Sequence, residues 1–166
     1  MKKWTALLLC AVLLCGMAGC AAKPSWSETY AISCVNSMKS DCGAPASFSL
    51  NGDVLVFSME SAKDICYFEY SAQNGYGAFL KSDAIFCDGQ YLGSEAELRE
   101  ELDRAAQERK DMDSLEEKEA SLEKTILLLG ILQELDEAKL DLKLSGGSSE
   151  NVEIIPEKLV RRGIKG

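Results

Sequence analysis

Short apolar runs alternate with glycine-containing turns through the first half of the chain. Two of the turns are Asn-Gly pairs, at residues 51–52 and 74–75, and a third is Asp88-Gly89. Such pairs favour tight β-hairpins when they lie between apolar runs, because both of their residues tolerate positive φ. The pattern predicts three hairpins, whose strands are Phe48–Leu50 with Val54–Phe57, Ile65–Tyr70 with Tyr76–Leu80, and Ala84–Cys87 with Gln90–Leu92.

One further strand is expected over Tyr30–Val35, so that residues 28–93 hold a series of short strands. Short strands joined by tight turns are typical of a small antiparallel barrel or sandwich. A core of that size is only marginally stable without cross-links. We therefore expect a small β domain over 28–93 whose stability depends on covalent cross-links.

A helical pattern begins at Ser94. Ser94-Glu-Ala-Glu97 has the spacing of a capping box, and helix-favouring, mostly acidic residues continue to residue 144. The apolar residues of this segment recur in steps of three, four and seven, which favours a coiled-coil seam. The expected interface of the seam is Leu115, Leu122, Ile126, Leu129 and Leu132.

Two architectures are open for residues 94–144. One is a single long helix that pairs with copies of itself. The other is a helical hairpin that turns near 111–114, where Ser114 can cap a second helix. We favour the single helix, because neither glycine nor proline marks the turn.

The last residues, 145–166, begin with Ser145-Gly-Gly-Ser-Ser149, the composition of a flexible linker. We expect a flexible tail here. An alternative is a tethered recognition segment, in which Val152–Ile155 adds a strand to the sheet edge of a partner.

The first 19 residues have the pattern of a secretory signal. Lys2 and Lys3 form a positive start, Leu7–Leu14 an apolar core too short to span a bilayer, and Ala18-Gly19 a small-residue cleavage site. Met17-Ala18-Gly19-Cys20 resembles the bacterial lipoprotein lipobox. The resemblance implies removal of 1–19 and attachment of acyl chains such as palmitate to Cys20, with 20–27 as a tether.

This resemblance implies a protein held at the cell envelope by its lipid. In a host with two membranes, Ala21 after the lipidated cysteine resembles the sorting signal for the outer membrane, facing the periplasm. Without the leader the net charge is −11, since two lysines leave a chain with 18 basic and 27 acidic residues. Such a charge excludes nucleic acid as a partner and repels anionic lipid, so the membrane is reached through Cys20.

Four cysteines follow the leader and the lipobox: Cys34, Cys42, Cys66 and Cys87. An even number in a small exported domain predicts two disulfides, with three possible connectivities. Shorter loops favour Cys34–Cys42 with Cys66–Cys87. A zinc site is the weaker alternative, because the chain has no CxxC pair and no histidine; we expect no metal.

Three segments between 48 and 86, Leu50–Val56, Ile65–Tyr70 and Asn74–Ile85, together resemble a bacterial SH3-like domain. The resemblance implies a small barrel, with a candidate ligand groove for a peptide or glycan. The groove residues are Tyr67, Tyr70, Tyr76 and Phe79. The expected fold class is therefore α+β, a small antiparallel SH3-like β-barrel stapled by disulfides and followed by a long acidic helix.

Catalytic chemistry is not indicated. The absence of histidine removes serine–histidine and cysteine–histidine catalysis, and no glycine loop opens a helix after a buried strand to hold phosphate. We expect no enzyme and no cofactor. The expected function is a lipid-anchored envelope adaptor or structural subunit that binds an envelope protein and self-associates as a homo-oligomer through its helix. The alternative is a module that binds peptidoglycan or peptide, with the helix as a spacer.

Overall fold

The computed structural model describes residues 25–59, 61–109, 112, 114–145 and 152–164. Within these ranges the chain forms a six-stranded antiparallel sheet and four α-helices. The helices are α1 (Trp26–Asp41), α2 (Glu95–Glu108), α3 (Leu115–Ser145) and α4 (Glu157–Gly163). The strands are β1 (Ser49–Leu50), β2 (Val54–Ser58), β3 (Asp64–Gln73), β4 (Phe79–Cys87), β5 (Gln90–Gly93) and β6 (Val152–Ile155).

The sheet is open. Its strands follow the order β5-β4-β3-β2-β6, and β1 pairs with β3 beside β2. The mixed α and β composition is confirmed, but the predicted SH3-like barrel is wrong. A small closed barrel buries only its inner face, so alternate residues would face water. Here both faces are covered, and four consecutive residues are buried in each of the three central strands: Val54–Phe57, Ile65–Phe68 and Ala84–Cys87.

Two hydrophobic cores lie on opposite faces of the sheet. On one face α1 and α4 pack against the sheet, and the buried residues include Val35, Val54, Cys66, Phe68, Phe86 and Val160. On the other face α2 and α3 pack, and the buried residues include Leu55, Ile65, Ile85, Leu98, Ile131 and Leu135. The sheet is therefore the middle of three layers, which is why its central strands are apolar throughout.

The first element is a helix, not the strand that we expected over Tyr30–Val35. Ser25 caps α1 by accepting a hydrogen bond from the Glu28 amide at 3.1 Å. The buried residues Ser27, Ala31, Cys34 and Val35 recur at helical spacing. The helix begins inside the predicted tether 20–27, so the folded body starts earlier than the boundary we placed at residue 28.

The first predicted hairpin, at Asn51-Gly52, is also wrong. β1 and β2 do not pair with each other but lie end to end along β3, with Leu50 opposite Tyr70 and Leu55 opposite Tyr67. The step from 50 to 55 faces a step of only three residues, so the strand bulges around Gly52, whose φ is +136°. A type I′ hairpin turn would need positive φ at Asn51 as well.

The other two hairpins are confirmed. β3 and β4 form one long hairpin around 74–78, in which Gly77 has positive φ and the Asn74 side chain accepts from the amides of Tyr76 and Ala78. β4 and β5 meet at Asp88-Gly89, where both φ angles are positive, as a type I′ turn requires. Residues 79–80 of the predicted strand 76–80 and all of the predicted strand 84–87 belong to the single strand β4, whereas residues 76–78 lie in the turn.

The region 94–144 forms the helical hairpin, not the single helix that we favoured. The capping box at Ser94 and Glu97 is confirmed at the start of α2. α2 ends at Glu108, and Ser114 caps the start of α3 by accepting from the Glu117 amide at 3.1 Å. Both helices can pack their apolar faces on the sheet only if the chain reverses direction between them. The burial of these faces therefore favours a turn, even though neither glycine nor proline marks it.

Residues 152–164 of the expected flexible tail belong to the folded body. β6 pairs antiparallel with β2, with Ile155 opposite Val54, so this strand completes the protein's own sheet. α4 packs on α1, where the Asn36 side chain donates to the Gly163 carbonyl at 3.1 Å. The linker residues 146–151 lie outside the described part of the chain.

Candidate interaction surface

The long helix α3 has two apolar faces, and only one of them is used by the fold. Its inner face is buried against the sheet through Leu128, Ile131, Leu132, Leu135 and Ala138. Its outer face carries a row of exposed apolar side chains that we call the outer stripe: Leu115, Leu122, Ile126, Leu129 and Leu140, which are 46–73% exposed. The stripe lies on the side of the helix opposite the core.

Helical spacing explains why these residues align. At about 100° per residue, Leu122, Ile126 and Leu129 fall within a narrow sector of the helix surface, and Leu140 falls in the same sector. The stripe runs for about 37 Å from first to last residue, at 1.5 Å rise per residue. Leu140 was not among the interface residues predicted from the sequence, because the polar residue Gln133 interrupts the repeat before it.

Four of the five predicted interface residues therefore lie on the outer stripe. Leu132 does not, because it is only 4% exposed and packs in the core beneath the helix. The step from Leu129 to Leu132 turns the side chain about 300° around the helix axis, away from the stripe. The sequence pattern alone mixed the two faces, since both are apolar at helical spacing.

A cavity adjoins the stripe on one side. It has a volume of about 810 Å³ and lies between the β2–β3 turn and α3, with Met59, Ile126, Leu127 and Gly130 among its lining residues. A Cβ on Gly130 would lie 2.7 Å from the Met59 Cε atom, so the glycine admits Met59 against the helix. Ile126 belongs to both features, so the stripe and the apolar part of the cavity meet at this residue and form one surface.

The rim of this surface is charged. Lys63, Glu123, Lys124 and Glu134 also line the cavity. Lys124 reaches across to Glu101 of α2 at 2.5 Å. The apolar surface is thus bordered by polar groups of both signs, the arrangement found at protein–protein contact sites rather than in a solvated helix face.

Hydrogen bonds and ion pairs between α2 and α3 hold the stripe outward. At the turn, Arg109 donates to the Thr125 hydroxyl at 2.5 Å. At the other end, Lys139 pairs with Glu95 at 2.5 Å, and Arg99 joins Glu95 at 2.9 Å and Asp136 at 3.1 Å. These contacts fix the rotation of α3, so that its inner face meets the sheet.

Glu95 is the centre of the second group. Partial burial raises the pKa of its carboxyl, but hydrogen bonds from Lys139 and Arg99 outweigh that effect and leave the pKa below its usual value. Burial also lowers the pKa of Lys139, and its contacts with Glu95 and Tyr67 more than restore it, so the net shift is upward. Both groups are therefore held in their charged forms at neutral pH.

The predicted aromatic groove is not assembled. Tyr67 is buried under α3, whereas Tyr70 lies on the opposite face and stacks on Phe48 at 5.3 Å between ring centres. Tyr76 is 98% exposed at the hairpin tip, and Phe79 pairs with Gln73 rather than with Tyr70. Strand alternation separates these four rings between two faces and the tip, so they do not line a common groove.

The four described cysteines are free thiols, so the predicted disulfides are not formed. Cys34 and Cys42 are about 12 Å apart along α1, beyond the reach of a disulfide. Cys66 and Cys87 lie on adjacent strands but point into opposite cores. The two pairs favoured by loop length are therefore excluded by the fold in this form.

The lipobox and Cys20 lie outside the described residues, as do the leader and most of the tether. Among the helices that the structure describes, none combines the length and the apolar character needed to cross a membrane. Within the same residues no cluster of three or more cysteine or acidic side chains is arranged to hold a metal ion. No protein-family model, curated protein or solved structure matches this chain.

Proposed function

We propose that this chain is a lipid-anchored, non-catalytic adaptor or structural subunit of the cell envelope, which self-associates through the outer stripe of α3. The observation that carries the proposal is the stripe itself, a row of five exposed apolar side chains beside a cavity of about 810 Å³. Isolated exposed leucines are common on protein surfaces, but several exposed apolar side chains aligned on one helix face, beside a cavity with a charged rim, are typical of a contact site.

The anchor part of the proposal rests on the sequence. Met17-Ala18-Gly19-Cys20 follows a positively charged start and a short apolar core. The net charge of −11 without the leader opposes adsorption to anionic lipid, so acyl chains on Cys20 supply the membrane affinity. We expect that a Cys20→Ala variant moves to the soluble fraction and incorporates no labelled palmitate; membrane retention of this variant would contradict the anchor.

The occupant that we propose for the stripe is a second copy of this chain. From Leu115 to Leu129 its steps of seven, four and three residues have the spacing with which helices interlock along a shared seam, and a step of eleven residues past Gln133 leads to Leu140. A strip about 37 Å long and about 10 Å wide offers roughly 400 Å² per copy, about half of what a stable interface buries. We therefore expect weak association in solution and stronger association on a membrane, where anchoring raises the local concentration.

The test compares two exposed apolar positions of the same helix. Ile126→Gln lies on the stripe and at the cavity, whereas Leu142→Gln lies on another face and is 38% exposed. The full chain is reconstituted in neutral vesicles at a fixed protein-to-lipid ratio, and association is measured by energy transfer between labelled copies. We expect Ile126→Gln to abolish the signal and Leu142→Gln to retain it.

Two other results would argue against self-association through the stripe. Equal transfer in wild type and Ile126→Gln would exclude the stripe as the contact. No transfer in the wild type at any protein density would exclude a second copy as the occupant. Circular dichroism of each variant separates these results from a loss of fold.

A further inference from the structure

The end of the β3–β4 hairpin carries exposed apolar side chains that the fold does not bury. We call residues 73–80 the hairpin tip. Within it Tyr76 is 98% exposed, Phe79 64% and Leu80 55%, and none of the three belongs to either hydrophobic core. The tip is therefore an apolar surface separate from the outer stripe, which lies on α3.

The hairpin is longer than the strands beside it. β1 pairs with β3 as far as Ser71, and β5 pairs with β4 no closer to the tip than Ile85. The pairing of β3 with β4 continues past both of these points to the turn at 74–78. The tip therefore extends beyond the neighbouring strands of the sheet.

The apolar side chains of the tip point in three directions. Leu80 lies opposite Ala72 and points to the side of the sheet that α1 covers, whereas Phe79 lies opposite Gln73 and points to the other side. Tyr76 lies in the turn between them. A flat protein surface covers one face of a hairpin, but a medium that surrounds the tip covers both faces and the end. The interface of a lipid bilayer is such a medium.

The backbone of the turn is suited to a medium less polar than water. The Asn74 side chain accepts from the amides of Tyr76 and Ala78, both at 3.0 Å. The Asn74 amide donates to the Ala78 carbonyl at 2.9 Å, and the Gly77 amide donates to the Asn74 carbonyl at 3.0 Å. Four amides are thus bonded within the turn itself, which lowers the cost of moving it out of bulk water.

The charge near the tip complements lipid phosphate, although the chain as a whole is acidic. Residues 70–82 include no aspartate or glutamate, and Lys81 follows Leu80 directly. The first acidic residues back from the turn are Glu69 and Asp83, which pair with each other about 13 Å behind the last residue pair, at about 3.3 Å per residue. A lysine beside an apolar tip can keep its stem among acyl chains while its ammonium contacts phosphate.

We propose that the hairpin tip inserts into the interfacial layer of a lipid bilayer, with its three apolar side chains among the upper acyl chains and the Lys81 ammonium among the phosphates. Tyrosine and phenylalanine are suited to this layer, because their rings are apolar and tolerate a polar boundary. The inference rests on the anchor part of the proposed function, since acyl chains on Cys20 bring the protein to the bilayer.

The tip and the anchor are at opposite ends of the sheet. The Tyr30 hydroxyl in the first turns of α1 donates to the carbonyl of Asp64, the first residue of β3. The ten residues of β3 place this end about 30 Å from the tip. Contacts through Cys20 and through the tip therefore hold the long direction of the sheet along the membrane, whereas the anchor alone fixes only one end.

The test labels the tip from inside the bilayer. The full chain, acylated in cells, is reconstituted in neutral vesicles that contain a phosphatidylcholine with a diazirine in the upper part of one acyl chain. The vesicles are illuminated and floated through a density gradient, and the tryptic peptides of the floated chain are analysed by mass spectrometry. Cleavage after lysine places the tip in the peptide 64–81 and the centre of the outer stripe in the peptide 125–139, which is the internal control.

We expect the peptide 64–81 to carry roughly fivefold or more label than 125–139, because only the tip reaches the acyl chains. The double variant Tyr76→Ser/Phe79→Ser should reduce this label to the level of 125–139. The matched control Tyr91→Ser, on β5 at a position 45% exposed, should retain it. Circular dichroism checks that both variants are folded.

The outcomes separate the tip from the anchor. Chains that float with the vesicles but carry no more label in 64–81 than in 125–139 would overturn the insertion of the tip and leave the anchor intact. Equal labelling of the wild type and Tyr76→Ser/Phe79→Ser would also overturn it. Chains that do not float would overturn the anchor, and the inference with it.

Discussion

The Lys139 ammonium lies 4.1 Å from the centre of the Tyr67 ring. The same ammonium pairs with Glu95 at 2.5 Å. Lys139 belongs to α3, Tyr67 to β3 and Glu95 to the first turn of α2. The Lys139 side chain therefore joins the two helices on this face to the sheet. A cation over an aromatic face is attracted by the ring, and more strongly where the contact is partly shielded from water.

Replacing Lys139 with methionine should therefore destabilise the fold. The variant keeps an apolar stem over Tyr67 but loses the charge, and we expect a loss of about 1–2 kcal/mol. Lys143→Met, one turn later on the same helix at an exposed position, is the matched control and should change stability by less than about 0.5 kcal/mol. Urea unfolding of both variants measures the difference, and equal stabilities would contradict a role for the Lys139 contacts.

The contacts of Glu95 should make the free energy of unfolding depend on pH, and the direction follows from its pKa. Its pKa is lowered in the folded state from an ordinary value of 4.5. The unfolded chain therefore binds the proton more readily, so the contribution of Glu95 is complete above that value and is lost as the pH falls through the folded pKa. We expect unfolding measurements between pH 6 and pH 3 to show a shallower fall in Lys139→Met than in the wild type. An unchanged slope would contradict the pairing.

The three-layer arrangement was open to prediction from the strands but was missed. Residues 54–57, 65–68 and 84–87 are each four apolar residues without a polar break. A sheet with one wet face shows alternation instead, so these runs indicate helices on both faces. The hairpin turns were easier to place, because Asn74 and Asp88-Gly89 act locally on the backbone.

Other features could not be predicted, because they depend on contacts far apart in the chain. Asn51-Gly52 suits a bulge as well as a hairpin, and only pairing with Tyr70 decides between them. The division of α3 into a core face and an outer stripe likewise depends on which side meets the sheet.

The first helix, α1, could have been predicted from the sequence. Ser25 and Glu28 mark a helix start, and Ala31 and Val35 are one turn apart.

The last strand and helix, β6 and α4, should contribute to the stability of the fold. Ile155 is 3% exposed beside Val54, and truncating it to alanine should cost about 2–4 kcal/mol through lost burial and a residual cavity. Lys158→Ala, at an exposed position of α4, is the control and should lie within about 0.5 kcal/mol of the wild type. Thermal unfolding compares them, and a neutral Ile155→Ala would show that this segment is not docked in solution.

Truncating two leucines three residues apart on α3 should have different effects, one on stability and the other on association. Leu132 is 4% exposed in the core, whereas Leu129 is 53% exposed on the outer stripe. Leu132→Ala should lower the free energy of unfolding by about 2–5 kcal/mol. Leu129→Ala should leave the free energy of unfolding within about 0.5 kcal/mol of the wild type but weaken association in vesicles.

Salt should strengthen the association of the wild type. Because the associating copies are both acidic, added salt should screen their repulsion and increase the energy transfer between labelled copies. Weakening by salt would instead indicate that ion pairs, rather than the leucines, join the copies.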